Sequence, residues 1–94
     1  MAGEPLPVDD PAALAAALAG AASRTDTVEA FAAWLRGQPA VEAVTIAPHL
    51  VKTEPPQQEI TARFRLSGGA TVSRTIDIVV HPDGTLALGG VHEP

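Results

Sequence analysis

The chain has no cysteine and no tyrosine, and aromatic residues make up only 3% of it. Without cysteine there can be neither a disulfide framework nor a thiolate zinc site, although the count is silent on cellular compartment. With so few aromatics, Val, Ile, Leu and Ala must build the core, and Phe31, Trp34 and Phe64 are its only large fillers. Truncating a buried one costs about 3–5 kcal/mol, much of what a small domain has. Basic residues are scarce as well. Six Lys and Arg against eleven Asp and Glu leave a formal charge of −5. That balance repels polyphosphate and anionic lipid at long range, so neither nucleic acid nor a membrane is expected as a partner.

Long hydrophobic runs are also missing. Ala12 to Ala19 is apolar, but a bilayer-spanning helix needs about 20 such residues. Glu4, Asp9 and Asp10 precede the first basic residue, Arg24, the reverse of a secretory leader's basic start, and the reading therefore expects a soluble, cytoplasmic protein. Catalytic signatures are absent in the same way. Ser67 lacks the Gly-x-Ser-x-Gly frame of a nucleophile elbow, and no glycine-rich run leads from a strand into a helix. His49, His81 and His92 do not share the spacing that puts two ligands on one helix or strand face. No catalytic residue, metal or cofactor is expected.

What is present is a change of period. Ninety-four residues are enough for one core, and the reading divides the chain into a flexible arm over 1–9, a single domain over 10–91 and a tail over 92–94. Asp10 is a good N-cap and Pro11 a good first helical residue. Leu14 and Leu18 mark one narrow apolar stripe, with Gly20 as a natural stop. A second helix is expected from about Thr27 to Arg36, capped by Asp26 with Glu29 three residues on. Val28, Phe31 and Leu35 form the face that covers the sheet. Gly37 suits a left-handed cap, and Pro39 forbids continuation.

From Val41 onward the alternation is that of strands. The first places Val44 and Ile46 inward until Pro48 interrupts, which makes it an edge strand or a bulged one. Lys52 to Gln58, with Pro55 and Pro56, is expected to be a loop. The second strand turns Ile60, Ala62, Phe64 and Leu66 to the core; the third turns Val72, Ile76, Ile78 and Val80 there. Face parity calls for an odd-length connection such as Gly68 to Ala70, which pairs Phe64 near Arg74 and Ala62 near Ile76. Pro82, Asp83 and Gly84 predict a three-residue loop in which Val80 opposes Leu86 and Ile78 opposes Leu88.

The expected fold class is α+β: an N-terminal helix, or two, packed on one face of a four-stranded antiparallel meander. In layout alone this order resembles cystatin-like and nuclear-transport-factor-like domains, and fold does not imply function.

Four residues stand out as candidates for binding. Arg63, Arg65 and Asp77 belong to a polar grid on the outer sheet face, with Arg63 and Asp77 on a cross-strand diagonal and the arginines as fork donors for an acidic partner. Strict alternation turns Arg74 inward between Val72 and Ile76. A buried unpaired charge is costly, so Arg74 must snorkel at the sheet edge, sit at a bulge that turns it out, or pair with a carboxylate lining a cleft; reaching instead into a pocket under the helix, it would suit an anion. Glu42, Glu54 and Glu59 read as solubilising charges. Two functions follow from these features. The first is a non-enzymatic protein-interaction domain, self-associating through its sheet or holding another protein. The alternative is a binding protein for an anionic small molecule, or a minimal enzyme, with a pocket under the alanine-rich covering helix and Trp34 as its fluorescent reporter.

Overall fold

A computed structural model of the chain describes residues 6–53 and 56–93, with the description of 49–53 limited to the backbone. Two helices, α1 (Pro11–Ser23) and α2 (Val28–Arg36), precede four strands, β1 (Val41–Thr53), β2 (Pro56–Arg65), β3 (Thr71–Val80) and β4 (Leu86–His92). The strands form one antiparallel sheet in the order β1-β2-β3-β4, and both helices pack on the same side of it, α1 over β4 and α2 over β1. This is the expected α+β meander.

Each helix begins where its local chemistry satisfies the free amides of a first turn. The Ala12 and Ala13 amides donate to Asp10 Oδ1 at 3.1 and 3.2 Å. At α2 the cap is Thr27 rather than Asp26, because its hydroxyl accepts from the Ala30 amide at 3.0 Å. Gly37 closes α2 with φ −78°, in the right-handed rather than the left-handed region. Gly20 does not stop α1. The helix runs on to Ser23, and Ala21 and Ala22 are buried at 2% and 0% exposure. Methyl side chains let its backbone approach the sheet closely, so a stripe that looks narrow in sequence packs firmly.

The core joins Leu14, Leu18 and Ala22 of α1, Phe31 and Leu35 of α2, and Ile60, Ala62, Phe64, Ile76 and Ile78 of the sheet. Each large side chain buried here contributes about 1.5–3 kcal/mol. Leu6 is 8% exposed and Val8 packs against the same cluster, so the part of the expected arm that is described lies on the core. Residues 1–5 fall outside the described residues.

Two connections differ from expectation. Thr53 pairs with Pro56, so the two strands run to within two positions of each other where a loop over Lys52 to Gln58 was expected; Pro56 opens β2, a strand position that needs no ladder amide. Glu54 and Pro55 lie outside the described residues. Between β2 and β3 the register places Phe64 opposite Val72, Ala62 opposite Arg74 and Ile60 opposite Ile76. The loop is Ser67 to Gly69 instead of Gly68 to Ala70, with Gly69 at φ +95°. Every partner is thereby shifted by two residues while each face is kept.

The β3–β4 hairpin matches expectation, with Val80 opposite Leu86, Ile78 opposite Leu88 and Gly84 at φ +90°. Past Leu88 the register slips between Asp77 and Ile78. This bulge admits Gly89, where a Cβ would lie 3.2 Å from Val79 Cγ2 and 3.3 Å from the Asp77 carbonyl. Beyond it β4 resumes, with Val91 opposite Ile76 and His92 opposite Thr75. His92 therefore belongs to the sheet and not to a tail.

Candidate functional site

Arg74 is the inward charge that alternation predicts, and no bulge in β2–β3 turns it out. Its cross-strand partner is Ala62, the smallest inward residue of β2, and this leaves room for the long arginine stem. The side chain is half-buried, and its guanidinium Nη1 donates to the carbonyl of Ser73, its own neighbour, at 2.9 Å. Among the described residues no carboxylate pairs with it.

Arg74 opens into a cleft of about 430 Å³. The sheet supplies Val72, Arg74 and Val91; the N-terminal segment and α1 supply Val8, Pro11, Leu14 and Ala15; His92 and Glu93 stand at the end of β4. The expected pocket under α2 is thus displaced to α1, whose Pro11 and Ala15 are too small to fill the corner over the inward valines. Trp34 lies on α2, with its ring centroid 5.8 Å from that of Phe31. It is not part of the cleft lining and is no reporter for this site.

The outer sheet face carries the other three candidates, in an arrangement different from that expected. Arg63 opposes Ser73 and Asp77 opposes Glu59, so the shifted register separates Arg63 from Asp77 and the diagonal does not form. Arg65 is engaged by Glu42, whose Oε2 accepts from its Nε at 2.8 Å and from its Nη2. With side chains 63% and 27% exposed, that pair contributes at most about 1 kcal/mol. Arg63 is exposed.

Asp77 meets a partner that sequence spacing did not reveal. His92 Nε2 lies 3.0 Å from Asp77 Oδ2, and its Nδ1 lies 3.1 Å from the Glu93 carbonyl. The Glu93 carbonyl first and the Asp77 carboxylate second raise the His92 pKa above its ordinary 6.5, with a further pull from the Glu59 charge. Glu59, Asp77 and His92 each bring a potential ligand atom within 4.8 Å of the others. The signal for this cluster was Gly89: only a bulge there returns Val91 to the core and turns His92 outward beside Asp77. His81 sits exposed at the hairpin loop, and the His49 side chain lies outside the described residues.

No family model matches the chain, and no curated protein or solved structure matches it either. The cystatin-like likeness therefore remains one of layout. No helix among the described residues is long and apolar enough to cross a membrane.

Proposed function

We propose that this chain is a small non-enzymatic binding domain that holds an organic monoanion, a carboxylate on an apolar body, in the cleft beside Arg74. The observation that carries this reading is a half-buried Arg74, unpaired with any carboxylate among the described residues, in the lining of a recess walled mostly by apolar side chains. A planar fork of donors suits a carboxylate, and desolvation by Val8, Leu14, Val72 and Val91 strengthens the contact. The cleft volume falls within the roughly 300–1,000 Å³ of small-ligand sites. Glu93 at the margin and the overall negative charge disfavour a multiply charged ligand. The described lining holds no hydroxyl or thiol nucleophile, which supports binding over covalent chemistry.

Titration of the labelled protein with hexanoate, followed by amide and arginine side-chain NMR, tests the reading. Shifts should concentrate at Val8, Leu14, Val72, Arg74 and Val91. Arg74→Gln should weaken binding about tenfold or more, the worth of one charge-assisted hydrogen bond. Equal affinity in the variant, or no localised shift at millimolar hexanoate, would refute it.

A second reading, self-association through the outer sheet face, is favoured by segregated charge. Arg63 lies toward one end of that face while Glu59 and Asp77 oppose each other toward the other, so two copies packed face to face and antiparallel about a two-fold axis place opposite charges together. Strand-edge pairing is less well supported, because β1 is interrupted by register shifts on both sides of Ile46 and β4 by its own bulge. Sedimentation should then show a dimer that dissociates as salt is raised; a monomer at every salt concentration contradicts it.

A further inference from the structure

Residues 6–9 belong to neither helix nor strand, yet they build part of the wall of the anion cleft, where Val8 stands beside Pro11. We propose that this segment is a ligand-coupled strap: it seats on the core or swings away about Asp10, and an anion held at Arg74 keeps it seated. The inference rests on the cleft reading above and adds the regulation of that site.

The strap has few attachments. Its amide hydrogen bonds are local, from Val8 to the Leu6 carbonyl at 2.8 Å and from Asp10 to the Pro7 carbonyl at 3.1 Å, so they fold the segment on itself. Asp10 caps α1 by accepting from the Ala12 and Ala13 amides, and this fixes the chain at the hinge. Toward the sheet, one hydrogen bond holds the strap among the described residues: the Ser67 amide, in the β2–β3 loop, donates to Asp9 Oδ1 at 3.3 Å. That contact is long and exposed, and breaking it costs little. The firmer anchor is Leu6, 8% exposed within the core cluster. A segment held by one apolar plug and one weak polar contact opens more readily than paired strands do.

Val8 is where strap and ligand meet. It packs against the core cluster and also borders the cleft. A carboxylate bound at Arg74 fills the cleft with its apolar body and gives Val8 a contact that exists only while the strap is seated. Binding therefore favours the seated strap, and by linkage the seated strap favours binding by the same factor. Leu6 and Ser67 lie outside the cleft lining. Each reports on the strap without belonging to the ligand's wall.

Amide exchange and hexanoate titration of the full chain test the coupling. Saturating hexanoate should slow exchange of the Ser67 amide about fivefold, at the low end of coupling between sites, and leave the Gly84 amide of the other hairpin loop unchanged. Leu6→Ala should weaken hexanoate about fivefold by lowering the seated population. Leu6→Met should restore it, and Asp9→Ala, an exposed change, should weaken it by less. Ser67 exchange that is indifferent to bound hexanoate would overturn the strap alone and leave the cleft reading standing, as would equal hexanoate affinity in Leu6→Ala protein whose circular dichroism is native. No hexanoate binding by the unaltered chain would overturn both.

Discussion

His92 offers a direct reading of single-residue chemistry on this surface. Its imidazolium is stabilised by the Glu93 carbonyl and by Asp77, with Glu59 adding negative charge nearby. Its ring signals should titrate with a midpoint above 6.5, and Asp77→Asn should bring the midpoint back toward that value. Because the folded-state value is the raised one, the stability it contributes is complete below the unfolded pKa and is lost as pH rises through the folded pKa. A midpoint at or below 6.5 would contradict the geometry. His92 was not legible as part of a site, since Gly89 and Gly90 looked like the end of the strand instead of a bulge within it. Arg74 was legible, because its inward direction depends only on parity, and parity survives a two-residue shift in register. The Arg63–Asp77 diagonal depended on register itself and did not survive.

At the scale of elements, the two hairpins use one loop geometry. The His81 amide donates to the Thr85 carbonyl at 2.9 Å and Gly84 to His81 at 3.0 Å; the Leu66 amide donates to Ala70 at 2.7 Å and Gly69 to Leu66 at 2.9 Å. In both loops the third residue is a glycine with positive φ. Pro82 and Asp83 announced the second loop, and the Asp83 carboxylate further fixes it by accepting from the Thr85 amide and hydroxyl at 3.0 and 2.7 Å. The first loop has two adjacent glycines and no proline, so composition did not say which takes the left-handed position. The resulting prediction concerns Gly69→Ala and Gly84→Ala. Nothing lies within 4 Å of either new Cβ, so the cost is backbone strain alone, about 1–2 kcal/mol in urea unfolding. Gly68→Ala should cost clearly less than Gly69→Ala, and the opposite order would contradict the loop assignment. Helix starts were legible to within a residue, since Asp26 and Thr27 are both good caps. The end of α1 was not, because the packing of Ala21 and Ala22 outweighs the helix penalty of Gly20, about 1 kcal/mol.

At the scale of the whole molecule, the described residues form one sheet roofed by two short helices, one over each flank. Sequence periodicity identified α2 as the roof and left α1 as a weak accessory, because alanine contributes little to an apolar stripe although it packs well. That difference moves the recess from α2 to the corner between α1 and the β3–β4 strands, where Arg74 stands. Both the cleft and the acidic cluster depend on the same β2–β3 alignment, with Ala62 beside Arg74 and Glu59 beside Asp77. The cross-strand NOE ladder between β2 and β3 measures that alignment directly. It should connect Ala62 with Arg74, Ile60 with Ile76 and Phe64 with Val72. A ladder connecting Ala62 with Ile76 and Phe64 with Arg74 would contradict it.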